Sequence, residues 1–153
     1  MADFASYITQ YGKSVGLPEL KFNEAGMCSL TFDGKIAVDI VYHKDVDQCA
    51  FVSVVGTLPS ENQEECFKQL LISNAYGTEN KGASIGIEES ENRIILSYVF
   101  IPSIVSFDLF KTLLGNFVTL TEKWQGQYES LLGSLGSSES TESVPNPFEF
   151  TRI

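Results

Sequence analysis

The stretch that most constrains the fold is residues 66–100, because its last part is apolar at nearly every position. Its first part predicts an amphipathic helix, in which Phe67, Leu70 and Leu71 recur at helical spacing. Its last part predicts a hairpin whose returning strand, residues 93–101, has two apolar faces, since strand side chains alternate. A small domain can cover one face with its own helices. The other face then requires a second copy of the chain or a partner.

Alternating apolar residues predict three more strands before this stretch. The first two cover residues 27–33 and 35–42, and Asp33-Gly34 between them is a strong signal for a tight hairpin turn. The third covers residues 49–58 and is apolar on both faces. A helix over residues 3–15, with Asp3 as its expected N-cap, precedes these strands.

A long last helix is predicted to begin after Ser106. Glycines at 115, 126 and 133 each weaken a helix by about 1 kcal/mol relative to Ala, so we expect it to fray or end after about Gly126. The order helix, three strands, helix, two strands, helix predicts an α+β fold, an antiparallel twisted sheet packed with three helices. We expect one domain over residues 1–135 and a polar, flexible tail over 136–153, with docking through Phe148 and Phe150 as the alternative to a free tail.

Charge and cysteine content narrow the function classes. The net charge of −10 repels nucleic acid and anionic lipid, so neither is an expected partner. No run of apolar residues approaches the length of a membrane span, so no membrane insertion is expected. Three widely spaced cysteines without a visible signal peptide favour a reducing cytoplasm.

Candidate catalytic residues are few. The single histidine, His43, lies in a polar loop without a nucleophile motif, and a solvated histidine is the simpler interpretation. Glu88 and Glu91 are able to serve as an acid and base pair, but at a hairpin tip they more simply keep an edge soluble. Cys66 near a helix start is more simply a packed thiol than a reactive one. We therefore expect no enzyme activity, no cofactor and no metal site.

What remains is more apolar surface than a two-layer domain of this size buries, which is typical of interaction proteins. Four segments resemble class I type III secretion chaperones, the group that includes the chaperone of the translocated intimin receptor. They are residues 15–18, 22–30, 70–74 and 82–87. Residues 70–74 have the pattern Leu-x-x-x-Asn. The resemblance covers about residues 3–132, and the tail from Gly136 departs from it.

The resemblance implies a cytoplasmic bacterial homodimer that binds the extended N-terminal segment of one or more secreted effectors. It also implies presentation of the complex to the secretion ATPase, without cofactor or catalysis. An extended peptide can add to an exposed sheet edge while its side chains fill grooves. The expected partner-binding residues are Phe4, Ile8, Tyr11, Leu30, Phe32, Ile40, Val52 and Val54. The expected dimer residues are Phe67, Leu70, Leu71, Leu96, Tyr98 and Phe100.

Two alternatives stay open at this point. A regulatory chaperone of the same fold would sequester an anti-activator and couple secretion to transcription, and sequence does not separate it from an effector chaperone. A small acidic enzyme using Glu88, Glu91 or His43 is the second alternative. Plain core packing is the competing interpretation for every residue named above, because periodicity shows that a face is apolar without showing what covers it.

Overall fold

The structure of the chain is a computed structural model that describes residues 3–75, 77 and 80–136. Within these residues, three α-helices and five strands follow the predicted order, and the α+β class is confirmed. The elements are α1 (Ala5–Ser14), β1 (Met27–Phe32), β2 (Ile36–His43), β3 (Gln48–Thr57), α2 (Gln63–Asn74), β4 (Ser84–Glu88), β5 (Arg93–Phe100) and α3 (Phe107–Gly136). The tail predicted after Gly136 lies outside the described residues. No helix in the described part of the chain is long and apolar enough to cross a membrane.

The five strands form one antiparallel sheet in the order β1-β2-β3-β5-β4, so β1 and β4 are its edges. Cys28 lies opposite Ile40 in the β1–β2 ladder, and Asp39 lies opposite Val52 in the β2–β3 ladder. The predicted turn joins β1 to β2, with Asp33 and Gly34 both at positive φ, 52° and 66°. Two successive residues at positive φ match the right-handed twist of the flanking strands.

The described residues divide into two compact units. The first comprises residues 3–53 and 97–119, and the second comprises the described residues of 54–96 and 120–136. In the first unit, aromatic rings form the core. The Phe4 and Tyr42 ring centroids are 5.1 Å apart, and Phe51 lies 5.0 Å from Phe100 and 6.0 Å from Phe110. Edge-to-face and tilted pairs at these distances add to the stabilisation from apolar burial.

In the second unit, the core is built around Trp124 and Tyr128 of α3. The Trp124 indole donates to Asn80 Oδ1 at 2.9 Å, and the Tyr128 hydroxyl donates to the Thr57 carbonyl at 2.6 Å. Both rings are fully buried, so these bonds satisfy polar groups that would otherwise lose their hydration. Gly56 lets the Tyr128 ring approach β3, because a Cβ at that position would lie 2.5 Å from the ring.

Two expectations about helix ends are wrong. The last helix continues past Gly126 to Gly136, because Tyr128 and Leu131 are buried and this tertiary packing outweighs the glycine cost. The first helix begins at Ala5, and its N-cap position is Phe4 rather than Asp3. The Asp3 side chain accepts only a long hydrogen bond, 3.4 Å, from the Ala5 amide.

Candidate partner-binding surfaces

The β1 edge of the sheet has free backbone groups. Tyr42 N donates to Gly26 O at 2.8 Å and Cys28 lies opposite Ile40, so the even-numbered residues of β1 face β2. The N–H and C=O groups of Met27, Ser29 and Thr31 therefore point away from the sheet. Ser29 and Thr31 are exposed, and no strand among the described residues pairs with them on that side.

Asn23 hydrogen-bonds the outward backbone groups of Met27, the first of these three residues. Its side-chain Oδ1 accepts from Met27 N at 2.9 Å, and its own backbone N donates to Met27 O at 2.8 Å. The same Oδ1 also accepts from Ala25 N, which fixes the tight turn before β1. The open part of the β1 edge is therefore limited to Ser29 and Thr31.

The β4 edge is closed at one of its two outward-facing residues. The Asn74 side chain, at the end of α2, donates from Nδ2 to Ile85 O at 2.7 Å and accepts from Ile85 N at 2.8 Å. An asparagine side chain thus takes the place of a neighbouring strand at Ile85. By alternation, Ile87 is the remaining outward-facing residue of this five-residue strand. The two sheet edges consequently differ, and β1 offers the longer free ladder.

The sequence analysis expects one apolar face of β5 to need cover from outside the chain, but its dimer residues Leu96, Tyr98 and Phe100 are not the ones that the structure exposes. The exposed residues are Val99 and, just after the strand, Ile101. Val99 and Ile101 are 53% and 50% exposed, whereas Phe100 between them is buried. The two apolar faces of this strand are visible in the sequence. The periodicity does not show which of them the chain covers with its own helices.

The predicted partner-binding residues lie on both faces of the sheet. Leu30 and Ile40 point to the inner face, where they are buried, and Val52 and Val54 lie on the opposite face, where they are half-buried. Phe4 and Ile8 of the first unit are buried in its core, while Tyr11 and Phe32 are half-buried. The assignment of all eight to effector binding stays a prediction, and the four half-buried members offer surface without rearrangement.

The predicted dimer residues differ in exposure. Leu71 on α2 is 69% exposed, although the helix stripe predicted it to lie beside buried Leu70. The buried side of α2 instead carries Cys66, Leu70 and Ser73. Phe67 and Tyr98 are half-buried, and Leu96 and Phe100 are buried by their own chain. The dimer role of these six residues stays a prediction, with Leu71 as its best exposed member.

The residues considered for catalysis differ in their surroundings. Glu88 accepts from Arg93 Nε at 2.8 Å, and His43 and Glu91 are exposed. Among the described residues, no cluster of three or more His, Cys, Asp or Glu side chains is placed to hold a metal ion. Burial raises the pKa of the Cys28 and Cys66 thiols and raises that of Cys49 to about 12. Thiols with raised pKa values are poor nucleophiles at neutral pH.

Comparison with solved structures shows the same fold in several protein complexes. The chain superposes on a chain of the ExsC–ExsE complex with a TM-score of 0.70 and 22% identity, covering 81% of this chain and 95% of that one. For the HopA1–SchA chaperone–effector complex, the TM-score is 0.66 at 14% identity, with 79% and 91% covered. For the Yersinia pestis type III secretion chaperone SycH, solved with a fragment of YscM2, it is 0.61 at 16% identity, with 80% and 99% covered.

Sequence comparison identifies the family. No curated protein sequence matches the chain significantly. The family profile of the Tir chaperone protein (CesT) family matches residues 6–125, which is most of the chain. The resemblance to class I type III secretion chaperones is confirmed. The chain therefore belongs to the Tir chaperone protein (CesT) family, a family of chaperones rather than of enzymes.

Proposed function

We propose that the chain is a type III secretion chaperone that binds an extended segment of one or more secreted effectors in the bacterial cytoplasm. It keeps that segment non-globular and soluble and presents it to the secretion machinery, with the secretion ATPase as the expected receiving partner. Family membership supports this proposal, as do similar structures solved as chaperone–effector complexes. The observation that carries it is the free β1 edge at Ser29 and Thr31.

An extended peptide can continue the sheet at this edge. Ser29 and Thr31 together present two N–H and two C=O groups, and each backbone hydrogen bond adds about 0.5–1.5 kcal/mol net. Four such bonds align a peptide without requiring a particular sequence, so they suit a chaperone that reads an unfolded segment. Selectivity then comes from alternate side chains of the peptide, which meet the two faces of the sheet. Met27 on the outer face is exposed and available for such contacts.

A proline scan of the two edges tests this proposal. The effector is first identified by mass spectrometry of what co-purifies with the tagged chain, and its N-terminal segment is then titrated calorimetrically. Thr31→Pro removes an outward N–H while leaving the β1–β2 ladder intact, because prolines are tolerated on edge strands. We expect a loss of affinity of about two- to twelvefold, because one hydrogen bond of about 0.5–1.5 kcal/mol is removed. Ile87→Pro at the β4 edge is the matched control, and we expect less than a twofold change. Equal effects at both edges, or none at Thr31, would overturn the assignment of the β1 edge.

We also propose that the working form is a homodimer. Leu71 on α2 is a large apolar side chain held in solvent by a helix whose opposite side is already buried. Leu71 lies one helical turn after half-buried Phe67, so the two side chains form an apolar strip that a second copy can cover. The twofold dimer would pair the same surface on both copies.

A further inference from the structure

A groove of about 540 Å³ lies in the first unit, beside the start of β1. It is formed by the beginning of α1, the turn before β1, and the short 3₁₀ turn after β2. Its charged and aromatic lining includes Asp3, Phe22, Glu24, Tyr42, Lys44 and Asp45. We propose that this groove binds a basic side chain, arginine or lysine, from the partner's extended segment. The proposal rests on the proposed function, because it names the chemistry of the segment that this chaperone accepts.

The charges around the groove favour a cation. Three carboxylates, those of Asp3, Glu24 and Asp45, line it against a single ammonium group, that of Lys44. Within the described part of the chain, Glu24 and Asp45 form no ion pair, so their charge is not neutralised internally. Carboxylates gathered at a partly enclosed surface raise the local concentration of cations and attract them more strongly than the same charges in open water.

A second, smaller cavity extends the negative region. It has a volume of about 150 Å³, shares Asp3 and Tyr42 with the groove, and is also lined by Asp47. The pKa of the Tyr42 hydroxyl is raised, first by burial and then by the charges of Asp3 and Asp47. The negative potential of these carboxylates therefore reaches Tyr42, which lines both cavities.

Aromatic rings supply the other half of a site for arginine or lysine. Phe22 and Tyr42 both line the groove, are half-buried, and have ring centroids 5.6 Å apart. A guanidinium or ammonium group over an aromatic face gains about 0.5–2 kcal/mol, and arginine also stacks on the ring. Half-buried aromatic rings beside exposed carboxylates fit a long basic side chain better than an apolar or acidic one.

The location of the groove connects it to the β1 edge. Asn23 and Gly26 line the groove, and the same Asn23 closes the edge at Met27. A peptide strand paired at Ser29 and Thr31 cannot continue its ladder past Met27 and has to leave the sheet there, next to the groove. Since an extended residue spans about 3.3 Å, the basic side chain is expected within a few residues of the paired strand.

The groove is tested with a probe that needs no effector. The ¹⁵N-labelled full chain is titrated with N-acetyl-argininamide and, separately, with the neutral isostere N-acetyl-citrullinamide, following amide shifts by NMR. We expect saturable shifts at Gly26, Lys44 and Val46 with the arginine probe, at least fivefold weaker binding of the citrulline probe, and weakening of the arginine signal in 0.5 M NaCl, because salt screens charge pairs. Equal binding of both probes would overturn the proposal.

Charge-matched variants locate the effect. The double variant Glu24→Gln with Asp45→Asn should weaken arginine binding at least fivefold, whereas Asp33→Asn with Glu129→Gln, which removes the same charge elsewhere, should change it less than twofold. If both double variants lose the same affinity for the arginine probe, the shifts reflect the overall negative charge of the protein and the proposed site is wrong. Thr31→Pro should keep the probe shifts while losing effector affinity. A failure of the groove is thus distinguishable from a failure of the edge.

Discussion

At the scale of single residues, two asparagines make the backbone hydrogen bonds that a neighbouring strand would make at each edge of the sheet. Asn23 binds both outward backbone groups of Met27, and Asn74 binds both outward backbone groups of Ile85. Asparagine is suited to this because its side chain carries one donor and one acceptor in the geometry of a peptide group. Hydrophobic periodicity does not reveal such residues, because they are polar and their partners are backbone atoms.

Replacing Asn74 should destabilise β4 specifically. Asn74→Ala leaves the N–H and C=O of buried Ile85 without partners, and each unsatisfied group costs about 1–3 kcal/mol. We expect the free energy of unfolding to fall by about 2–6 kcal/mol in urea titrations. The Ile85 amide should also exchange its hydrogen much faster in Asn74→Ala. It should stay protected in Asn74→Asp, which keeps the acceptor, and fast exchange in both variants would contradict this account.

Cys49 should make the stability of the chain depend on alkaline pH. Burial raises its pKa from an ordinary value of 9.0 to about 12, so the unfolded chain loses this proton first as the pH rises. The stabilisation is fully present below pH 9 and is lost between pH 9 and about 12. Relative to Cys49→Ala, the wild-type free energy of unfolding should fall more steeply above pH 9, by up to about 1.4 kcal/mol per pH unit. Parallel pH profiles from urea unfolding would refute this assignment.

At the scale of elements, the sequence predicts the number, type and order of the helices and strands, because their apolar periods are long and clear. It underestimates the length of α3. The last part of this helix is held by residues distant in the chain, since Tyr128 donates to the Thr57 carbonyl and Asn62 Nδ2 donates to Leu135 O at 3.0 Å. Local propensity does not contain these long-range partners.

The candidate site is less predictable than the fold for a similar reason. Residues such as Ile40 and Val54 are equally apolar in the sequence, yet one is fully buried on the inner face and the other is half-buried on the outer face. The acidic groove joins residues from three separate segments, around Asp3, Glu24 and Asp45. Only the folded chain brings such residues together.

Helix α3 should be stabilised by removing a glycine. Gly115 is exposed, and an added Cβ would meet nothing within 4 Å. Gly115→Ala should therefore raise the free energy of unfolding by about 1 kcal/mol, through helix propensity alone. Gly56→Ala is the contrasting control, since its Cβ would lie 2.5 Å from the Tyr128 ring, and it should destabilise the chain in the same urea titration. A neutral or destabilising Gly115→Ala would show that α3 needs flexibility at this point.

At the scale of the whole molecule, the predicted property is self-association into a homodimer through α2. Light scattering should give a mass of about twice 16.9 kDa for the wild type. Leu71→Asp places a charge in the proposed interface without touching the core, and should give a monomer of 16.9 kDa. Ile104→Asp, at another exposed apolar residue, is the control and should remain dimeric. A monomeric wild type, or a dimer that survives Leu71→Asp, would contradict the predicted α2 interface.

The two hydrogen bonds between the Asn74 side chain and the Ile85 backbone also limit polymerisation of the sheet. A fibril that grows by strand pairing needs two free sheet edges on every subunit. Each added subunit pairs through one edge and must offer the other edge to the next subunit. A subunit with one free edge terminates growth after a single addition. Because Asn74 closes β4 at Ile85, the longer free ladder of this sheet lies at β1, and the chain is a poor template for growth in both directions.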